Sequence, residues 1–350
     1  MNYRLTIIML LCISSGCISD IDAPRQTGSI CYLYVSPDGN DANPGTLKAP
    51  FATLQRANDT LMSNPPDMPV VVRIYSNRGH YYNLSTWWTY YNPMCPTTLT
   101  AYPAVYHAYF VADEDAPPDR PFFTLDAAAG EPTNIHITRL SITNYVRYIF
   151  VFRGDRENPD SGWNGYNSIQ DCIVMDAGNA RRPDLHFAYG AIGLVNSRYN
   201  LIQDCQFINC ANANPDPPPW SSRPTLRVGS CLPINGIYLA HYSSNNEIRL
   251  NIWENIRGDV IRLRDYSNEN YIHHNQFYRA GWFAVVTHWY CIEGCTKMMP
   301  ECPSWENIFK DNICISNWRG DAPVIFHDLR PENKGGCFIP IGYNARVVTD

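Results

Sequence analysis

Arg262, Arg264, Asp265 and His288, with His241 nearby, form the densest set of ionisable side chains that the internal spacing of this chain brings together. Ile237, Ile261 and Val285 stand 24 residues apart, and each opens a segment in which apolar and variable residues alternate. With those three facing inward, the outward neighbours are Tyr238, Arg262 and Val286, then Ala240, Arg264 and His288. His241, Asp265 and Trp289 follow just past each segment, and Ile325 continues the series, which adds Phe326 and Asp328 to the outward columns and buries His327. Arginines neutralise a carboxylate through paired hydrogen bonds. A histidine within reach can remove the carbon-bound proton beside that carboxylate. The cluster therefore suits an anionic substrate, with Arg262, Arg264, Asp265 and His288 as catalytic residues and His241, Trp289, Tyr290 and Asp328 as ligand contacts. The structural alternative is that Arg262 and Arg264 pair with Asp259, Asp265 or Glu269 across neighbouring turns.

A second column runs in step with the first. An aliphatic residue or Phe, two residues, Asn or Cys, one residue and another apolar residue recur as Ile169/Cys172/Val174, Ile202/Cys205/Phe207, Ile248/Asn251/Trp253, Ile272/Asn275/Phe277 and Phe309/Asn312/Cys314, with Ile137/Leu140/Ile142 as an earlier copy. Asn200, Asn246, Asn270 and Asn307 precede several of them. Two columns with one period describe the coil of a solenoid. Period-2 alternation marks short strands with one buried face, and no coil can bury that face without its neighbours. Coils stacked in register place like residues about 4.8 Å apart, so a recurring Asn becomes a ladder of amides inside a turn. The longer intervals locate two projecting excursions, one over 211–235 and one holding Cys291, Cys295 and Cys302.

Tyr32-Leu33-Tyr34-Val35 reads as a strand and Pro37-Asp38-Gly39-Asn40-Asp41 as a turn. A helix opens at Pro50, with Leu54, Ala57 and Leu61 on its apolar side. A solenoid needs such an element over its first coil. The run from Tyr34 to Asp41, then Asn43-Pro44-Gly45-Thr46 and Ala49-Pro50-Phe51-Ala52-Thr53-Leu54-Gln55, resembles the entry segment of single-stranded right-handed parallel β-helix proteins, the pectate-lyase-like superfamily. With the coil repeats the resemblance covers roughly residues 31–330. It implies an all-β fold, a right-handed parallel β-helix over 31–350 with a capping helix at 50–62. It also implies a polysaccharide as partner, and elimination on a uronate polymer as the reaction that Arg and His would serve. The alternative is a non-catalytic surface protein that binds glycan or a partner. Hydrolysis needs two carboxylates, and Asp259, Asp265 and Asp328 are available. The polygalacturonase motifs are missing, since Gly258-Asp259-Val260 carries one Asp, and so is the Trp-Ile-Asp-His motif of pectate lyases.

Residues 1–17 read as an export signal: Arg4, an apolar run from Leu5 to Ile13, then Ser14-Ser15-Gly16. Ser-Ser-Gly-Cys17 also resembles a lipobox, so the expectation is a secreted protein or a surface lipoprotein anchored at Cys17, with a linker over 18–30. A net charge of −6 without a basic block argues against nucleic acid, and no later segment has the apolar length of a membrane span. Thirteen cysteines fit an oxidising compartment, where several should be bridged. Cys291, Cys295 and Cys302 near His288 read as disulfide cysteines in preference to a zinc site, and Cys172 and Cys205 as a thiol stack or a bridge. No metal is assigned. Calcium is the one assisting ion left open, with Asp38, Asn40, Asp41 and Asn43 forming an oxygen-rich turn that reads as an Asx turn. Trp87, Trp88, Tyr90, Tyr91, Trp282 and Trp305 are further candidates for stacking on sugar rings or for packing.

Overall fold

The computed structural model describes residues 29–113, 119–178, 190–211, 234–282, 284–288, 301–328 and 348–349. The export signal, Cys17, most of both excursions, Trp289 and Tyr290 lie outside them. One coil runs through the strands Leu201–Gln203, Gln206–Ile208 and Ile234–Ala240, and the chain returns to the first sheet at Glu247–Arg249. Each strand pairs in parallel with its counterparts in the coils before and after, which builds a first sheet of ten strands and a second and third of eight each. A two-stranded sheet joins Asn164–Gly165 to Ser197–Arg198. Among the described residues no helix is long and apolar enough to cross a membrane.

The first sequence column is in register. Ile137, Ile169, Ile202, Ile248, Ile272 and Phe309 are successive partners in the first sheet. Val174, Phe207, Trp253, Phe277 and Cys314 are successive partners in the second. Alternation puts these side chains inside, where Phe207 and Trp253 stack face to face at 3.9 Å. The corner between the two sheets is a single left-handed residue, at Asp171, Asp204, Leu250, His274 and Asp311. Asp and His tolerate that conformation better than most side chains.

The residue after this corner forms the expected ladder. Asn251 donates through Nδ2 to Asn275 Oδ1 at 2.9 Å, and Asn275 to Asn312 Oδ1 at 3.0 Å. Cys172 and Cys205 occupy the same slot as buried free thiols, so the stack holds and the bridge does not form. Burial pushes the Cys205 thiol up, and that of Cys210 up to about 12. Cys31 and Cys302 are each in a disulfide, and not with one another. The asparagines that precede the repeats build a second and longer ladder, from Asn167 through Asn200, Asn246 and Asn270 to Asn307, at 2.8–2.9 Å per step. Each Oδ1 there accepts both the backbone N–H and the side-chain N–H of the preceding rung. Replacing Asn270 with Ala deprives the buried Asn246 of both bonds at once. We expect Asn270→Ala to lower unfolding free energy in urea by about 3 kcal/mol. Asn312→Ala, at the last described and half-buried rung of its ladder, should cost less, because the Asn275 amide keeps two backbone carbonyls as acceptors.

At the other end the helix Leu54–Ser63 buries Leu54, Ala57, Asn58 and Leu61. Its side chains close the exposed edge of the third sheet: Gln55 Oε1 accepts the N–H of Trp87, and Asn58 Oδ1 those of Thr89 and Tyr90. The helix starts at Leu54, four residues later than Pro50 suggested. Phe51 is still extended, bridging to Val35, and Thr53 is the N-cap. Asp41 fixes that boundary by accepting the N–H groups of Ala52 and Thr53 and the Thr53 hydroxyl.

The second column departs from expectation at its last two coils. Ile192, Ile237 and Ile261 are partners, but the next is Val286, not Val285, followed by Phe326, not Ile325. From Ile256 to Ile261 is five residues, whereas from its partner Ala280 to Val286 is six. The turn after Ala280, with Gly281 at φ +98°, absorbs the extra residue. Every alternating side chain beyond it changes face.

Candidate functional site

Tyr238, Arg262 and Thr287 are partners on the outer face of the third sheet, and Ala240 and Arg264 on the next outward position. Arg262 points back along its own strand. Its Nη2 is ion-paired with Asp259, its Nε donates to Thr287 Oγ1 at 3.3 Å, and that hydroxyl donates to Asp259 Oδ2 at 3.0 Å. The pair is buried on both sides, so the structural alternative, pairing with Asp259, holds for Arg262. His288 is also corrected. The phase slip sets it in register with Leu263, on the inward position, where it is 2% exposed and its Nε2 accepts the Ser304 N–H at 2.9 Å. Asp328 is in register with His288, not with Arg264.

The structure does bring Arg264, Asp265 and His241 together, and adds Glu301 and Tyr238. Arg264 grips Glu301 with Nε at 2.6 Å and Nη2 at 2.5 Å, and donates through Nη1 to the Tyr238 hydroxyl at 2.5 Å. Burial works against the charge on Arg264, but Tyr238 and Glu301 more than offset it and hold the guanidinium ionised. Burial also raises the pKa of Tyr238, which keeps its proton. His241 Nδ1 lies 2.8 Å from Asp265 Oδ2 and 4.0 Å from Glu301 Oε1, and Asp265 Oδ1 accepts the N–H of Cys302 at 3.0 Å. His241 is 6% exposed, Asp265 8% and Glu301 4%. Among the described residues His241 Nε2 has no hydrogen-bond partner, while a carboxylate at Nδ1 fixes the ring and its tautomer.

Glu301 was within reach of the sequence. Arg264 lies six residues before the ladder residue Asn270, and Glu301 six residues before Asn307. Counting back from the ladder sets the two side by side across the second excursion.

His241 and Asp265 hold left-handed φ values of +49° and +48°, and so do the residues that follow them, Tyr242 at +65° and Tyr266 at +54°. Two consecutive coils thus turn with the same unusual backbone. His-Tyr on one and Asp-Tyr on the next put the ionisable groups inside and the rings outside. Tyr242 and Tyr266 stack at 5.1 Å and 15°, with Trp305 edge-on to Tyr266 at 5.1 Å. On the earlier coils Tyr166 and Tyr199 stack at 4.9 Å, 46% and 44% exposed. The turn edge from the third sheet back to the first is therefore a ridge of aromatic rings beside the buried dyad. Of the other aromatic candidates, Trp88 and Tyr90 are core, Trp87 is exposed with Arg153 over its ring, and Trp282 stacks on Trp318.

His241, Asp265 and Glu301 could place one ligand atom each around a metal ion, all within 4.8 Å of one another. The surroundings do not fit calcium. That ion takes six to eight oxygens, whereas both Glu301 oxygens here hold a guanidinium and both Asp265 oxygens hold N–H groups.

The family model described as a right-handed β-helix region matches residues 134–296. Together with three sheets of parallel strands wound coil on coil, this makes the chain a right-handed parallel β-helix. No curated protein matches it by sequence. Similar solved structures include a rhamnogalacturonan lyase, 14% identical with a TM-score of 0.48, covering 80% of this chain and 67% of that one. An alginate lyase from Paenibacillus sp. str. FPU-7 is 9% identical with a TM-score of 0.36, over 84% of this chain and 98% of that one. The tailspike protein of E. coli bacteriophage HK620, a double mutant in complex with a pentasaccharide, is 9% identical with a TM-score of 0.39, over 74% and 45%.

Proposed function

Starting from a right-handed parallel β-helix, we propose that the chain is an exported protein that acts on a uronate-containing polysaccharide, cleaving it by removal of a carbon-bound proton. One observation carries this reading: the same two turns, His241-Tyr242 and Asp265-Tyr266, make both a buried Asp–His dyad and a stacked, half-buried pair of rings. Asp265 holds the Nδ1 proton, so the lone pair of Nε2 is the base. Aromatic rings with phenolic hydroxyls offer a sugar chain apolar and polar contacts on one ridge. In the elimination His241 takes the proton on the carbon beside the carboxylate, the carbon–oxygen bond to the neighbouring sugar breaks, and a carbon–carbon double bond forms. The leaving oxygen takes a proton, and Tyr238, kept protonated by burial, is the acid in the network. The apolar run behind Arg4 supports export, as a secreted protein or with a lipid on Cys17.

The second reading, a non-catalytic protein that binds glycan or a partner, is favoured by the deep burial of the dyad and the pairing of both arginines. Ultraviolet absorbance of the unsaturated uronate product separates the two. A panel of uronate polysaccharides should include one on which absorbance rises in step with new chain ends. New ends without absorbance would mean hydrolysis and would overturn the elimination. Binding without either would leave the second reading.

A further inference from the structure

A uronate must have its carboxylate neutralised, and the arginines that the sequence offered for this are engaged, Arg262 by Asp259 and Arg264 by Glu301. Arg198 is different. It lies on the strand Ser197–Arg198, next to the ridge residue Tyr199, and its strand is docked tightly on Asn164–Gly165. A Cβ on Gly165 would lie 2.0 Å from the Arg198 carbonyl oxygen, so the backbone that carries Arg198 is closely fixed. A guanidinium has five N–H donors. Among the described residues Arg198 uses one of its Nη2 hydrogens, donated to the Pro159 carbonyl at 2.6 Å, while its buried Nε has no acceptor. No carboxylate of the described residues is within ion-pair distance of it. Tyr242 lies in the electrostatic reach of both Arg198 and Asp265, which places Arg198 on the same border of the helix as the dyad. Burial works against its charge, a cost that an anion would relieve.

We propose that Arg198 receives the carboxylate of a bound acidic sugar unit, beside Tyr199 and Tyr242. This rests on the polysaccharide reading above and adds to it the group that selects a charged sugar over a neutral one. The Nη1 hydrogens, which no described residue accepts, are the donors it offers, and the fixed strand holds them in place. Asp160, exposed and within the field of Arg198, is too distant to form an ion pair with it.

The test measures binding, not turnover. Oligosaccharides of polygalacturonate and of alginate are titrated calorimetrically against the full chain, each as the native uronate and after reduction of its carboxyl groups to alcohols. The wild type should bind at least one native oligosaccharide about 10- to 100-fold more tightly than its reduced form, as expected for a charge-assisted hydrogen-bonded pair. Arg198→Met, which keeps the length of the stem, should bind both forms with the affinity that the wild type has for the reduced one. Arg198→Lys should keep part of the preference, which guards against reading a folding defect as lost recognition. A preference that survives Arg198→Met, or a wild type indifferent to reduction, overturns the assignment. His241→Asn, whatever its affinity, should keep the preference for the native over the reduced form. A failure of the elimination chemistry, with the Arg198-dependent preference intact, is therefore seen separately.

Discussion

Replacing His241 with Asn should abolish turnover and leave the fold standing. The side-chain nitrogen of the new residue lies where Nδ1 lies now, so Asp265 keeps a donor in place of the 2.8 Å contact it has today. The backbone favours the change, because φ at this position is +49° and Asn accepts the left-handed region more readily than almost any other residue. What disappears is the second ring nitrogen, and with it the proposed base. A positioned general base contributes about 10²- to 10⁴-fold, so kcat on the responsive polysaccharide should fall by about 10³-fold, with unfolding midpoint and ligand affinity near wild type. Activity within tenfold of wild type, on a protein that binds normally, would remove His241 from the chemistry.

The largest effect on stability is expected at Asp259. Its carboxylate is fully buried, and it neutralises Arg262, which is nearly so. Thr287 sits between them, accepting from Arg262 and donating to Asp259. Asp259→Ala would strand a guanidinium in a site without a counter-charge, and breaking a buried pair from one side costs about 3–5 kcal/mol. The double variant Asp259→Leu/Arg262→Met removes both charges and refills most of the volume. It should lie within about 2 kcal/mol of the wild type. Urea unfolding of the three variants measures both numbers. A single variant no worse than the double one would show that the pair is solvated.

The winding of this chain is legible in its residues because stacked coils demand the same residue type at the same slot. Ile137 through Phe309 could be aligned without coordinates, and so could Asn251, Asn275 and Asn312, since a buried amide must have its oxygen and its N–H groups satisfied, and the same amide one coil away does part of this. The phase of the last coils was not legible. Ala284, Val285 and Val286 are all buried, so either alternation satisfies the hydrophobic pattern, and a turn longer by one residue decided between them. That single residue moved His288 off the outward column and Asp328 out of register with Arg264. Asp265 and His241 were legible as neighbours because they follow the strand ends directly, before any slip can accumulate. Glu301 was hidden by the excursion before it, although the second ladder gives its position. Arg198 carries no sign in its own residue type; its unused donors depend on which carboxylates neighbouring coils happen to lack.

The two amide ladders also fix how the molecule carries load. Their bonds, like those between the strands, run along the axis from one coil to the next, and each coil touches only its neighbours. Tension applied along the axis falls on these junctions in series, so the weakest junction yields first and the rod parts coil by coil. Tension across the axis loads strands along their covalent backbones and must shear many rungs at once. A protein of this build is compliant lengthwise and stiff in cross-section, and a polymer pulled along the tyrosine ridge would draw on its weaker direction.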